Sequence, residues 1–205
     1  MIDLYTWPTS NGQRAAIALE ECGLAYRVHR VDLSKGEQRA PAFLAINPAG
    51  AIPAIVDPDG PGGAPISLAQ SGAIALYAAT KSGRFLPADA ARRATALQWL
   101  FFACADAASA SGALFYLGVL APEKSEPNMK FLSDRLLGIL RVADRHLAQH
   151  EWLADELSIA DFALYPVVAV RRALVDGAAD LPHLVRWADA LAARPGVARG
   201  MVAAD

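Results

Sequence analysis

The feature that most constrains this chain is a change in its hydrophobic pattern near residue 83. Before that point, short segments with the period-two alternation typical of strands are interleaved with segments of helical spacing. The predicted order is β-α-β-α-β-β-α, with strands at 2–6, 26–31, 52–56 and 66–68 and helices at 41–46 and 71–82. The first helix is predicted to start in the turn at residues 8–12 and to end at Gly23. Because strands and helices alternate along most of this stretch, residues 1–83 are expected to form an α/β domain.

Beyond residue 88 the strand-like segments stop. Helices are predicted at 88–110, 127–149, 158–174 and 184–193, with the Ser- and Gly-rich residues 109–112 marking a break or kink after the first. The expected fold class is therefore α/β plus all-α, with a second, helical domain over residues 88–205. Ser158 and Asp161 fit a capping box at the start of the third of these helices, so Asp161 is expected to contribute about 1 kcal/mol as a cap.

Composition excludes several classes of protein. With 54% hydrophobic and 20% charged residues, the chain is too apolar for intrinsic disorder. Its net charge of -2 argues against a nucleic-acid partner, which would require a basic surface. No stretch reaches the roughly 18 uninterrupted apolar residues of a membrane-spanning helix, and the first residues do not resemble a secretory signal. We therefore expect a cytoplasmic protein with no membrane or nucleic-acid partner.

The cysteines and histidines predict neither a disulfide framework nor a metal site. Cys22 and Cys104 are far apart and form no CxxC motif, so two buried thiols are expected. His146 and His150 are four residues apart on a predicted helix, which is the spacing of a metal-binding pair. No third ligand accompanies them, and we expect them to be exposed on the surface.

Three small polar residues stand where the first strand passes into the first helix. These residues are Thr9, Ser10 and Asn11. A helix start presents free N–H groups and the positive end of the helix dipole, which can hold an anion such as a thiolate. Ordinary helix capping explains the same residues, because Ser, Thr and Asn are the usual cap residues.

Two further segments of the first domain have the same double interpretation. Pro53 opens a strand; a cis bond from Ile52 would expose backbone for an extended peptide ligand, but most X-Pro bonds are trans. Gln70 and Ser71 stand at another helix start, where they can bind a carboxylate or simply cap the helix. In a parallel α/β architecture such strand ends and helix starts collect at one edge of the sheet, so the three segments together can bind one elongated anionic ligand that carries a thiol.

These motifs resemble those of the cytosolic glutathione transferases, and the resemblance covers the whole chain. Residues 47–54 are similar to the family segment that contains a cis-proline, and residues 70–74 to the segment that holds the γ-glutamyl group. Within the family, residues 8–12, 35–43 and 97–101 are similar to the bacterial Nu-class and Ure2-like enzymes. The resemblance implies a thioredoxin-like N-terminal domain followed by a C-terminal helical bundle domain that contributes the second-substrate pocket.

The resemblance also implies roles for single residues at the thiol. Thr9 and Asn11 would donate hydrogen bonds to the glutathione sulfur. Ser10 occupies the position of the catalytic serine in other classes of the family, so it competes for that role. No protein cysteine or tyrosine would be needed.

The remaining implied roles concern the two ends of the tripeptide. Gln38 would contact the glycyl end, and the backbone of Ile52, ahead of Pro53, would pair with the cysteinyl amide. Gln70 and Ser71 would hold the γ-glutamyl end. Glutathione would then be a co-substrate, and no metal would be required.

The implied activity is attack of the glutathione thiolate on a small electrophile or a disulfide, in a homodimeric enzyme. The resemblance implies disulfide reduction, conjugation and peroxidase activity. Residues 105–112, rich in Ala, Ser and Gly, depart from the Nu-class pattern, which leaves the second substrate open. The alternatives are a non-catalytic glutathione-binding or scaffold protein, or a glutathione-dependent isomerase, dehalogenase or lyase.

Overall fold

The computed structural model describes residues 1–205 and divides them into two compact units. The first unit comprises Met1–Leu86 together with Ala193–Asp205, and the second comprises Pro87–Ala192. The sequence analysis assigned all of 88–205 to one helical domain, so the last thirteen residues differ from that expectation.

The first unit is built on a four-stranded mixed sheet. Its elements up to residue 86 are β1 (Ile2–Thr6), α1 (Ser10–Cys22), β2 (Tyr26–Arg30), α2 (Pro41–Leu44), β3 (Ala54–Asp57), β4 (Ile66–Ala69) and α3 (Ser71–Ser82). The strand order is β2-β1-β3-β4, with β1 parallel to β2 and β3 antiparallel to both of its neighbours. The alternation in β1 buries Leu4 completely, and Ile17 and Ile74 are buried on α1 and α3. The predicted α/β order is confirmed.

The second unit is all-helical, as predicted. Its elements are α4 (Ala90–Phe101), α5 (Ala108–Phe115), α6 (Glu126–Leu147), α7 (Ile159–Val170), α8 (Arg172–Asp176) and α9 (Pro182–Ala192). π-helical turns at Phe102–Ala107 and Tyr116–Leu120 continue α4 and α5.

The predicted helix break at residues 109–112 is wrong. The Ser- and Gly-rich stretch lies inside α5, among alanines that favour helix. The hydroxyl and carbonyl oxygens of Ser111 accept hydrogen bonds from Arg171, at 3.0 and 2.7 Å. These bonds connect the middle of α5 to Arg171, the residue that follows α7.

The continuous run Ala90–Leu120 is also long and apolar enough, by length and composition, to cross a membrane. The core helix of a soluble protein passes the same test, and Leu100, Ala103 and Ala107 on this run are buried within the second unit.

A last helix, α10 (Pro195–Met201), packs on α1 and explains why the chain end belongs to the first unit. The buried carboxylate of Glu21 accepts hydrogen bonds from Arg194 at 2.6 Å and from the backbone N–H of Val197 at 3.2 Å. At Gly200 a Cβ atom would lie 2.6 Å from Ile17 Cα, so only glycine permits this approach. The last helix predicted from the sequence ends at residue 193, so α10 was not predicted.

The capping box at the start of α7 is confirmed. The backbone N–H of Ser158 donates to Asp161 Oδ2 at 2.9 Å, and Ser158 Oγ caps the first turn. Asp161 Oδ1 also accepts from the backbone of Leu153 at 3.0 Å and from the indole of Trp187 at 2.9 Å. Both capping residues are fully buried.

Candidate functional site

The sheet register brings the three candidate segments to one edge. Tyr5 at the end of β1 lies opposite Ala54 at the start of β3, which lies opposite Ala69 at the end of β4. β1 and β4 lead from this edge into α1 and α3, and Pro53 precedes β3 at the same edge. The sequence argument assumed parallel strands. The convergence instead depends on β3 being antiparallel, which places its start beside the ends of its two neighbours.

The first segment is a tight turn that fixes the start of α1. Thr9 is the N-cap residue, and its hydroxyl oxygen accepts from the N–H of Gly12 at 3.1 Å. A Cβ atom at Gly12 would lie 2.3 Å from the Trp7 carbonyl oxygen and 2.4 Å from Thr6 Oγ1. Glycine is therefore required here, because backbone atoms occupy the space of any side chain. The capping reading of Thr9 is correct, and its hydroxyl proton remains able to donate elsewhere.

Asn11 and Ser10 are the first-turn residues that extend beyond this cap. Ser10 is half-buried, and Asn11 is exposed at the helix start. Asn11 Oδ1 accepts a hydrogen bond from Arg14 Nη1 at 2.7 Å. The first turn of α1 carries no acidic residue, so nothing there opposes the positive end of the helix dipole.

Arg14 is a residue of the site that the sequence analysis missed. Its side chain is 1% exposed, and Nη1 also donates to Ser71 Oγ at 2.6 Å. The signal available in the sequence was a charged residue directly before the apolar stretch 15–19, three residues after Asn11. One basic residue on a helix is ordinarily solvated, so this signal was too weak to single it out.

The second segment contains a cis peptide bond between Ile52 and Pro53. The expectation of a trans bond, drawn from general frequencies, is wrong, whereas the cis bond implied by the family resemblance is confirmed. The loop before it is shaped by buried Asn47, whose amide donates to the Ala51 carbonyl at 2.6 Å. Asn47 Oδ1 accepts from the N–H of Ala49 at 3.2 Å.

Gln38 lies beside this loop. Its carbonyl oxygen is 3.2 Å from the position that a Cβ atom at Gly50 would take, and Gly50 has a left-handed φ of 59°. The side-chain oxygen of Gln38 is buried without a hydrogen-bond partner. Gln38 thus lies against Gly50, which precedes Ile52 by two residues.

The third segment joins β4 to α3 through Gln70, which has φ of 73°. A non-glycine residue in this region costs roughly 1–3 kcal/mol, and such strain concentrates at functional sites. Gln70 is exposed, while Ser71, the first residue of α3, is buried and in contact with Arg14. The structure therefore joins the first and third segments directly through hydrogen bonds and places the second at the same edge.

The protein's own thiol in this unit is a poor nucleophile. Burial raises the pKa of Cys22 despite the hydrogen bond from Ser82 and the charge of Arg84, which lower it. Cys22 is also the last residue of α1, at the opposite end of the helix from Thr9.

The histidine pair differs from its expected exposure. His146 and His150 are half-buried, with their rings stacked at 4.1 Å, and His146 also contacts Trp99. Burial lowers the pKa of His146, and the charge of His150 lowers it further. No group of three or more His, Cys, Asp or Glu side chains is placed to hold a metal ion.

Comparison with known proteins agrees with the geometry of both units. The model of the glutathione S-transferase N-terminal domain matches residues 10–81, and that of the C-terminal domain matches residues 106–195. The chain belongs to the glutathione transferase family. Its fold, a small mixed sheet with helices followed by a helical domain, is the family's fold.

Individual relatives place the chain in the Nu-class and Ure2-like group of the family. It is 38% identical to the disulfide-bond oxidoreductase YfcG of Escherichia coli, covering 100% of this chain and 96% of the relative. It is 34% identical to the disulfide-bond oxidoreductase YghU of the same organism, covering 98% and 74%. A Pseudomonas putida glutathione transferase with one glutathione disulfide bound per subunit is 36% identical, with a TM-score of 0.90 and coverage of 98% and 90%.

Proposed function

We propose that this glutathione transferase acts as a glutathione-dependent disulfide reductase. The observation that carries the proposal is the start of α1. There Asn11 is exposed, Thr9 and Ser10 are half-buried, and the first turn contains no acidic residue. That arrangement suits a bound thiolate, and the family relatives named as disulfide-bond oxidoreductases cover the chain from end to end.

Each segment of the edge would hold one part of glutathione. Asn11 and Thr9 would donate to the sulfur, with Ser10 as the competing donor. Ile52, preceding Pro53, would pair through its backbone with the cysteinyl amide, and Gln38 would bind the glycyl end.

The γ-glutamyl end would lie at the start of α3. Gln70 and Ser71 would bind its charged groups, and the strained backbone at Gln70 would direct them toward the ligand. The second unit would supply the pocket for the second substrate.

The reaction has two displacements. The thiolate of bound glutathione attacks one sulfur of a disulfide, forming a mixed disulfide while the other sulfur leaves as a thiolate and takes up a proton. A second glutathione thiolate then attacks the glutathione sulfur of the mixed disulfide. The products are glutathione disulfide and a second free thiol, so two glutathione molecules are oxidised for each disulfide reduced.

The same thiolate can attack an electrophilic carbon or a hydroperoxide, which gives the conjugation and peroxidase activities of the family reading. The proposed setting is the cytoplasm, with glutathione as co-substrate. Several large apolar side chains on the second unit are exposed and support a homodimer: Phe101, Tyr116, Val119, Leu120 and Phe131.

The test compares glutathione-dependent reduction of hydroxyethyl disulfide with conjugation of an aryl halide and with peroxide reduction. We expect disulfide reduction to be the fastest and to survive in the Cys22→Ser/Cys104→Ser double variant, because no protein thiol takes part. Isothermal titration with glutathione accompanies the assays. Absence of binding would favour the scaffold alternative, and loss of activity in the double variant would contradict the mechanism.

A further inference from the structure

We propose that Arg14 is a positioning residue that fixes the hydrogen-bonding direction of both Asn11 and Ser71 toward glutathione. The inference rests on the proposed function and adds a residue to it. Arg14 itself is buried beneath the edge and would not touch the ligand.

Nη1 of Arg14 makes two hydrogen bonds. Arg14 Nη1 lies 2.7 Å from Asn11 Oδ1 and 2.6 Å from Ser71 Oγ. A guanidinium nitrogen of this kind carries two hydrogens and cannot accept, so each hydrogen has its own acceptor. One NH₂ group therefore links the starts of α1 and α3.

For Asn11 this contact decides which way the side-chain amide points. Arg14 can only donate, so the oxygen of the amide must face it and the NH₂ group must face away. Asn11 is exposed, so its two N–H donors are presented at the surface of the helix start. A thiolate accepts hydrogen bonds and would meet donors there, not a carbonyl oxygen.

For Ser71 the contact decides the role of the hydroxyl. Because Ser71 Oγ accepts from Arg14, its own proton is directed elsewhere and is available to a carboxylate at the start of α3. Arg14 thus directs the amide N–H groups of Asn11 and the hydroxyl proton of Ser71 away from itself, where they can donate to a ligand. The positive charge of the guanidinium, which is retained at all physiological pH values, favours anions at both positions.

The experiment uses two substitutions of Arg14 with different hydrogen-bonding ability. Lysine can only donate, as arginine does, whereas glutamine can also accept and so permits the Asn11 amide to reverse. The pKa of the bound glutathione thiol is measured from thiolate absorbance against pH. Titration with S-methylglutathione, which has no ionisable thiol, measures ligand binding without the thiolate, and its comparison with Ser71→Ala identifies the share that depends on the γ-glutamyl end.

In Arg14→Gln we expect the bound thiol pKa to rise by about one unit, a tenfold loss of thiolate at a given pH. We expect S-methylglutathione to bind about tenfold more weakly in the same variant. Arg14→Lys should keep most of the lowered thiol pKa. Ser71→Ala should weaken S-methylglutathione binding in the wild-type background but add little in Arg14→Gln, since the two act as one unit.

The outcomes separate this inference from the proposed function. A wild-type protein that does not bind glutathione would overturn both. A wild-type protein with a lowered thiol pKa, together with Gln and Lys variants that shift it equally or not at all, would overturn only the role of Arg14. Thermal unfolding of each variant supplies the control, because a purely structural role would lower stability and leave the bound thiol pKa unchanged in the folded fraction.

Discussion

The starts of α1 and α7 are both capped by a side-chain hydroxyl, of Thr9 and of Ser158, but the two helix starts differ in function. At α7, Ser158 and Asp161 close the turn on themselves, and every oxygen of the carboxylate is satisfied inside the protein. At α1, Thr9 caps one N–H, and the next residues leave their donors at the surface. The group behind α1 is the guanidinium of Arg14. The group within α7 is the carboxyl group of Asp161, whose pKa is raised by burial although the hydrogen bonds from Trp187 and the backbone lower it.

The presence or absence of a carboxylate in the first turn separates two kinds of capped helix start. A helix start that contains its own carboxylate has neutralised its dipole and serves folding. A helix start with no acid, backed by a guanidinium, retains the positive field of its dipole, which suits the anion binding proposed for α1. Substitutions at Asp161, Gly12, Asn11 and Thr9 test this contrast.

Removing the internal anion should damage stability most. Asp161→Ala leaves the N–H groups of Leu153 and Trp187 buried without acceptors, so we expect a loss of about 3–5 kcal/mol in the free energy of unfolding. This exceeds the 1 kcal/mol expected for a simple cap. Urea unfolding measures the loss. The matched control is the exposed Asp134→Ala, which should cost less than about 0.5 kcal/mol; equal costs would contradict the contrast.

A methyl group at the turn into α1 should be the next most damaging change. Gly12→Ala places Cβ against the Trp7 carbonyl oxygen and Thr6 Oγ1, and we expect a loss of about 2–3 kcal/mol together with loss of glutathione binding. Gly138→Ala, in an open position within α6, should instead gain about 0.5–1 kcal/mol. Thermal unfolding distinguishes the two, and a Gly12→Ala protein as stable as wild type would show that the turn is not constrained.

Giving α1 an acid of its own should convert it toward the α7 pattern. Asn11→Asp adds a carboxylate beside Arg14 at the helix start, so we expect a gain of about 0.3–1 kcal/mol in stability and at least a tenfold loss of glutathione affinity. The control is Asn128→Asp in the first turn of α6, which should gain stability without affecting glutathione. If glutathione affinity survives Asn11→Asp, the open helix start is not the anion site.

The smallest effect should come from the cap itself. Thr9→Ala removes the acceptor of the Gly12 N–H and should cost about 1 kcal/mol, comparable to Ser125→Ala at the cap of α6. Only the Thr9 variant should also raise the pKa of the bound glutathione thiol, whereas Thr9→Ser should retain both properties. Denaturation and thiolate absorbance measure the two quantities, and identical behaviour of the Thr9 and Ser125 variants would limit Thr9 to folding.

Much of the first unit could be predicted from the sequence because local signals govern it. Alternation in β1 and the left-handed Gly23 that ends α1 are read from a few neighbouring residues. The site residues at the three segments could be proposed for the same reason. That they share one edge follows from the antiparallel direction of β3, which no local pattern encodes.

The features that escaped prediction depend on partners distant in the chain. Arg14 gains its position from Ser71, and Ser111 remains helical with help from Arg171. Helix α10 is stabilised by Glu21, which is more than 170 residues away. The cis bond before Pro53 could be expected only through the family resemblance, because the flanking residues by themselves favour trans.

The docking of α10 on α1 has a consequence for the order in which a cell makes this protein. Residues 1–86 of the first unit are synthesised first, yet their packing around Ile17 and Glu21 is completed only by Arg194, Val197 and Gly200. Chains emerge at roughly 5–20 residues per second, and domains ordinarily fold as they emerge. Here the second unit can fold while the first still lacks α10, so the packing around Ile17 and Glu21 is completed only after residues 194–200 have been synthesised.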